Sequence, residues 1–233
     1  YLKERGIESV VLEAAHIGSG QTQNTTAKIT AQHGLVYDKL IRTAGEEKAR
    51  QYAAANQRAV EEYRRLVREK GIDCDWTDCP AYLYSSKAGL SAAFTAETEL
   101  PFQVKGAVRL DGQARFHPLH FLKVIARDLT IYEKTRVETV EGGEVKTARG
   151  TVRAKHIVFA CHFPFVNAPG YYFLRMHQER SYVLALENAL LPQGLYYGVD
   201  PDGLSLRQAE HCLLLGGGGH RTGENSAGGR YRL

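Results

Sequence analysis

The feature that most constrains this chain stands at its start. Tyr1-Leu2-Lys3-Glu4-Arg5 reads as the last turn of a helix, and Gly6 occupies the position after it, where a positive φ favours glycine. Ser9-Val10-Val11-Leu12-Glu13 follows as a short apolar strand ending in an acid. A helix end, a glycine and a buried-type strand ending in Glu form the second half of a βαβ nucleotide-binding unit. The first half, a strand and a Gly-rich turn, does not precede it, and the strand would lack its central neighbour. Residues before Tyr1 are therefore expected.

The rest of the chain alternates between two kinds of segment. Gly18 to Thr26 is a polar loop of small and hydroxyl residues, without apolar periodicity. Thr43-Ala44-Gly45-Glu46 reads as a capping box. It opens a long helix with Ala49, Ala53, Val60, Tyr63 and Val67 on its apolar face and Gly71 at its C-terminus. From Trp76 the pattern turns to strands at Ala81 to Tyr84, Phe102 to Val108, Tyr182 to Leu186 and Cys212 to Leu215, which suggest a mainly antiparallel sheet. His117-Pro118 starts a helix through about Asp128. A meander follows, with strands near Thr130 to Tyr132, Val137 to Val140, Glu144 to Ala148 and Thr151 to Ala154. His156 to Ala160 reads as a fully buried strand. The fold class expected is α/β (α+β mixed): a Rossmann-like domain over 1–42 and 117–165, interleaved with a helix plus antiparallel-sheet domain over 43–116 and 166–233.

Composition narrows the partners. A net charge of +4, dispersed along 233 residues, leaves no basic face for nucleic acid. A mean hydropathy of −0.34 and strand-length apolar runs provide no membrane span. No signal peptide is visible, and a cytoplasmic location is expected. Cys74, Cys79, Cys161 and Cys212 are too scattered for a disulfide framework, and their spacing is not that of a metal site.

Three places invite chemistry. Glu13 reads either as the carboxylate that accepts both ribose hydroxyls of an adenine nucleotide or as an ordinary strand-end acid. The loop from Gly18 to Lys28 reads as a phosphate cradle or as plain surface. Val158-Phe159-Ala160-Cys161-His162 runs an apolar strand into polar residues, as strands facing a ligand crevice do, although a structural histidine has the same appearance.

Taken in order, several motifs together resemble the FAD-dependent amine and amino-acid oxidoreductases, the superfamily of D-amino-acid oxidase and glycine oxidase. They are Glu13-Ala14, Gly18-Ser19-Gly20, Asn24 to Thr30, Ala107-Val108, Gln113-Ala114, His117-Pro118, Ala160 to Pro164, Arg180-Ser181-Tyr182 and Gly218 to Gly223. The likeness is strongest to a bacterial branch often fused to a Rieske iron–sulfur domain. It covers essentially the whole chain.

The resemblance implies FAD stretched along the nucleotide domain under an antiparallel substrate domain. It implies Glu13 at the adenosine ribose and Ser19, Gly20, Gln21 and Thr22 near the pyrophosphate. Thr25, Thr26, Ala27 and Lys28 would border the isoalloxazine. Val137 would meet adenine through its backbone, and Ala14, Ala160, Cys161 and His162 would line the groove. It also implies a C-terminal flavin-closing segment after Leu233, and the stretches at Ser86-Lys87 and Asp128-Leu129 are shorter than the family pattern. No Rieske ligand pairs occur in the chain.

The reaction so implied is oxidation of a C–N bond in an amine or amino acid, with Lys28 supplying positive charge. Tyr182, Arg207, His220 and Arg221 are the substrate-binding candidates, the arginines for a carboxylate. Oxygen, a quinone or an iron–sulfur partner could accept the electrons. Competing readings are an FAD-dependent hydroxy-acid dehydrogenase and a flavin-free interaction module.

Overall fold

The computed structural model describes residues 1–87, 95, 97–167 and 170–223. In chain order the elements are β1 (Val10–Leu12), β2 (Lys28–Ile29), α1 (Val36–Ala44), α2 (Glu46–Glu69), β3 (Thr77–Ser85), β4 (Gly106–Arg115), α3 (Pro118–Ala126), β5 (Thr130–Tyr132), β6 (Val137–Glu141), β7 (Glu144–Thr147), β8 (Gly150–Arg153), β9 (Glu179–Glu187), β10 (Leu195–Gly198), β11 (Ser205–Ala209) and β12 (Cys212–Arg221). The chain divides into two compact units, Tyr1–Thr25 with Pro118–Gln178, and Thr26–His117 with the residues from Glu179 onward. Residues 26–42 thus group with the large sheet, because β2 pairs with β4 there. Residues 166–178 group with the smaller unit. Residues 224–233 of the second expected domain lie outside the described residues.

The smaller unit is built from local pieces. A 3-10 turn at Lys3–Arg5 ends at Gly6, whose φ of 70° lets its N–H donate back to Lys3 at 3.0 Å. β1 and β5 form a two-stranded parallel pair, Val10 to Leu12 against Thr130 to Tyr132. β6, β7 and β8 form the meander, turned by Gly142 and Gly143, both at positive φ. The strand expected at His156 to Ala160 does not form. The segment is irregular, Val158 is 82% exposed, and among the described residues no strand pairs with it. Its apolar run is strand-like, but a strand needs a neighbour to satisfy its backbone groups, and composition does not supply one.

The larger unit holds a seven-stranded sheet in the order β2-β4-β3-β10-β11-β12-β9. All its pairings are antiparallel except β3 with β10. On one face, Tyr82, Tyr84, Leu100, Tyr196, Leu206 and Leu213 pack into a continuous core. Tyr82 and Tyr196 stack there with centroids 4.7 Å apart. Burying each such side chain contributes about 1.5–3 kcal/mol. β4 begins later than expected, at Gly106, and runs on to Arg115.

The expected capping box does not form. Thr43 lies inside α1, a helix that the sequence reading did not anticipate, and its hydroxyl donates to the Lys39 carbonyl at 2.8 Å. Gly45, at φ 87°, separates α1 from α2. α2 buries Ala49 and Val60 and closes at Gly71 in the left-handed region. Val60 packs with Ile29, Ala31 and Ala114 of the sheet, and the half-buried Trp76 borders this seam. Arg64 lies 5.8 Å above the indole, whose Nε1 donates to Asp78 at 3.1 Å.

Candidate functional site

The sequence candidates fall in both units. In the smaller one, Glu13 and Glu133 follow the two parallel strands β1 and β5. The Glu13 backbone ties the strand ends together: its N–H donates to Tyr132 at 3.0 Å and its carbonyl accepts from Thr135 at 2.8 Å. Its Oε1 accepts the Ala15 N–H at 2.8 Å. Glu133 was not a sequence candidate. Its Oε1 accepts the Ile17 N–H at 2.7 Å and its Oε2 lies 2.9 Å from His16 Nδ1. These donors hold its carboxyl below the usual carboxylate range. The signal was present, since Thr130-Ile131-Tyr132-Glu133 repeats the strand-then-acid pattern of Val10 to Glu13.

The loop after Glu13 is a succession of turns. Gly18, at φ 80°, takes a conformation that favours glycine, and a Cβ there would meet the end of the Leu119 side chain of α3 at 2.9 Å, a contact that side chain can relieve by shifting. Ser19 N–H donates to His16 at 3.0 Å, and Asn24 closes the loop from both backbone and side chain, onto Gln21 and Gly20. Gly20, Gln21, Thr22 and Thr25 are exposed, while Ser19 is half-buried. This set of small residues, hydroxyls and accessible N–H groups suits a pyrophosphate. Val137 is half-buried at the start of β6. Ala14, Ala160, Cys161 and His162 are exposed, the last three in irregular chain rather than at the end of a strand.

In the larger unit, Thr26 is half-buried and Ala27 is 4% exposed at φ 48°, a left-handed conformation that costs a non-glycine residue about 1 kcal/mol or more. That twist delivers Lys28 onto the sheet face. Its Nζ donates to the Tyr196 carbonyl at 3.0 Å and to Ser205 Oγ. Lys28 as a residue is half-buried, whereas its ammonium sits deep. Burial, and next Arg207, push the amine down to about 7.

Arg207, on β11, is 6% exposed. Its Nη1 donates to the Gln208 carbonyl at 3.3 Å, while its Nε has no hydrogen-bond partner. Burial and the neighbouring Arg115 weaken its hold on the proton, although a guanidinium stays charged at neutral pH. Arg115 itself donates to Gln193 O at 3.0 Å and Gln208 Oε1 at 3.2 Å. Cys79 lies close by, and burial pushes its thiol up to about 11. The meeting of Lys28, Ser205 and Arg207 was not anticipated, because it joins strands distant in sequence.

The other substrate candidates form a separate group. Tyr182 and His220 stack across β9 and β12, with centroids 5.7 Å apart and planes 20° from parallel. His220 Nδ1 donates to Gly218 O at 3.0 Å, at a bulge where Gly218 has φ 64°. Arg221 is exposed and opposite Glu179. Arg207 pairs with Leu214, so His220 lies six residues further along β12, about 20 Å at the rise of a strand. The sheet therefore does not bring Arg207 together with His220 and Arg221. Among the described residues no three His, Cys, Asp or Glu side chains gather to hold a metal ion, and no helix is long and apolar enough to cross a membrane.

Comparison with known proteins bears on these sites. The family described as FAD dependent oxidoreductase matches residues 1–231. A Bacillus subtilis (strain 168) protein named for a Rieske 2Fe-2S centre, YhfW, is 34% identical over 256 aligned positions, which cover 97% of this chain. The chain spans about half the length of that relative, 50% of it. Among solved structures, glycine oxidase from Geobacillus kaustophilus superposes with a TM-score of 0.67 at 16% identity, covering 100% of this chain and 71% of that one. L-proline dehydrogenase from P. horikoshii gives 0.67 at 17% identity, covering 96% and 66%. At such identities the likeness is one of fold, here the mixed α/β fold of flavin-dependent oxidases.

Proposed function

The chain belongs to the FAD-dependent oxidoreductase family, and from that premise we propose that it oxidises the C–N bond of an amine or amino acid with FAD as cofactor. The family match across residues 1–231 carries this reading. The residues of the smaller unit fit the cofactor: a strand ending in Glu13, a glycine at 18 in the left-handed region, and a loop of exposed small residues. In this reading Glu13 takes the ribose hydroxyls, Ser19, Gly20, Gln21 and Thr22 take the pyrophosphate, and Val137 meets adenine through its backbone. Ala14, Ala160, Cys161 and His162 line the groove, and Thr25, Thr26 and Ala27 border the isoalloxazine.

Bound FAD supplies a two-electron acceptor. The protein supplies position and charge. Lys28, held by Tyr196 O and Ser205 Oγ, contributes the positive charge on the sheet side. An amine must be neutral before its carbon gives up electrons, and burial together with the neighbouring cations favours that form. Arg207 is the candidate for a substrate carboxylate, and Tyr182, His220 and Arg221 would act at the far end of β12. The named Rieske relative supports an iron–sulfur partner as electron acceptor, beside oxygen or a quinone.

The test is optical. Purified protein is incubated with FAD, desalted, and examined for oxidised-flavin bands, then titrated anaerobically. Bleaching by amines or amino acids supports the reading. Bleaching by 2-hydroxy acids instead assigns a hydroxy-acid dehydrogenase. A protein that stays colourless is a non-catalytic interaction module.

A further inference from the structure

Glu133 follows β5 as Glu13 follows β1, yet both of its carboxylate oxygens are engaged by the loop after Glu13. Oε1 accepts the Ile17 N–H at 2.7 Å, and Oε2 lies 2.9 Å from His16 Nδ1. The residues behind it hold the same loop: Lys134 N–H donates to Ala15 O at 2.9 Å and Thr135 N–H to Glu13 O at 2.8 Å. Lys134 takes a φ of 50° there, a left-handed conformation that only firm surroundings maintain. Residues 13–17 are thus held from one side by residues 133–135.

The same short segment is tied to the meander. Thr135, 6% exposed, donates its hydroxyl to Glu133 O at 2.9 Å. Arg149, between β7 and β8, donates to Glu133 O at 3.2 Å and to Thr135 Oγ1 at 3.4 Å. Two residues beyond Thr135, β6 begins at Val137. Glu133 therefore stands where the loop meets the strand proposed to reach adenine. A bare carboxylate beside a loop that takes phosphates would repel them; here a backbone N–H and an imidazole take up its charge. That suits a holder of the loop and not a ligand of the nucleotide. Gly18 and Gly20, both at positive φ, leave the loop otherwise pliant, and ordering it only when a ligand arrives would cost affinity.

We propose that Glu133 is a positioning residue for the cofactor. Through Ile17 and His16 it holds the loop after Glu13 in the shape that receives the ribose and diphosphate of an adenine nucleotide, and through Thr135 and Arg149 it sets that loop against Val137. That the nucleotide is FAD rests on the oxidoreductase reading, whereas the hold on the loop does not.

The experiment measures binding of FAD by flavin fluorescence and of ADP by calorimetry to the full chain, as parent, Glu133→Ala, Glu133→Gln and His16→Ala. Glu133→Ala loses hydrogen bonds to a charged group and should weaken FAD and ADP by a similar factor, about tenfold. Glu133→Gln keeps an acceptor for the Ile17 N–H, and His16→Ala keeps the carboxylate, so each should weaken binding only about threefold. Hydrogen exchange of the ligand-free chain separates positioning from general destabilisation. The Ile17 amide should exchange faster in Glu133→Ala, while the amides of β1 and β5 keep the parent's rates.

The proposal is overturned if Glu133→Ala binds both nucleotides as the parent does, if Glu133→Gln recovers nothing, or if β1 and β5 lose protection in step with the affinity. Should Glu133→Ala fail to fold, Glu133→Gln and His16→Ala, the latter at an exposed imidazole, still decide. A parent chain that binds ADP but never FAD, with ADP weakened by Glu133→Ala, would uphold the hold on the loop and overturn the oxidoreductase reading. Flavin bands that Glu133→Ala leaves unchanged would do the reverse, and a parent that binds neither nucleotide overturns both.

Discussion

The two compact units differ in where their apolar side chains go. In the larger unit, Leu195 and Tyr196 are 2% and 0% exposed, and the sheet carries a core on one face and a helix seam beside it. In the smaller unit, Val145 and Thr135 are the only described residues that are buried. Val10 and Val11, on a parallel pair, remain 45% and 43% exposed, although parallel strands are normally covered on both faces. The larger unit thus has the means to be stable by itself. The smaller unit has good local geometry but buries few side chains, so its strands are expected to open more readily.

Hydrogen exchange should show this contrast most strongly. Amides of β3, β10 and β11 are expected to exchange about a thousandfold more slowly than those of β1 and β5, a gap of about 4 kcal/mol in opening free energy. Equal protection in the two units would break the comparison. Substitution sharpens it. Leu195→Ala should cost about 3 kcal/mol in denaturant unfolding, and Val158→Ser should stay within about 0.5 kcal/mol.

A pH series tests the cation corner of the larger unit. Unfolded, Lys28 keeps its proton to near 10.5, whereas folded it releases it near 7. Above pH 7 the unfolded state therefore binds more protons, and stability should rise with pH from 7 to about 8.5. Lys28→Met should flatten that rise. Beyond this window the buried Cys79 thiol acts in the opposite sense, because unfolding lowers its pKa from about 11 towards 9.0. A small effect is also expected at Ala27. Ala27→Gly relieves a left-handed alanine and should add about 1 kcal/mol at most, visible as a small rise in Tm. A loss of stability there would mean that the methyl group packs better than its φ suggests.

What could be read from the sequence was mostly local. Gly6, the meander turns, α2 and α3 depend on neighbouring residues, and they occur close to where periodicity and turn chemistry put them. Thr43 shows the limit of local signals: hydroxyl, spacer and Glu46 fit a capping box, yet the helix had already begun at Val36. Residues 156–160 show another limit, since an apolar run cannot report whether a partner strand lies beside it. The Lys28–Ser205 hydrogen bond joins residues 177 apart, a pairing fixed by sheet order and register. No spacing rule reaches that far. The strand-end acid at 133 was legible by analogy with Glu13.

The lone tryptophan gives the molecule an optical reporter. Trp76 is the single indole in 233 residues, and it stands at the α2–sheet seam with a guanidinium over its ring. Its emission follows that seam and is silent about β1, β5 and the meander. Fluorescence and circular dichroism should therefore trace different unfolding curves wherever the two units melt separately, and coincide wherever a bound cofactor makes them melt as one.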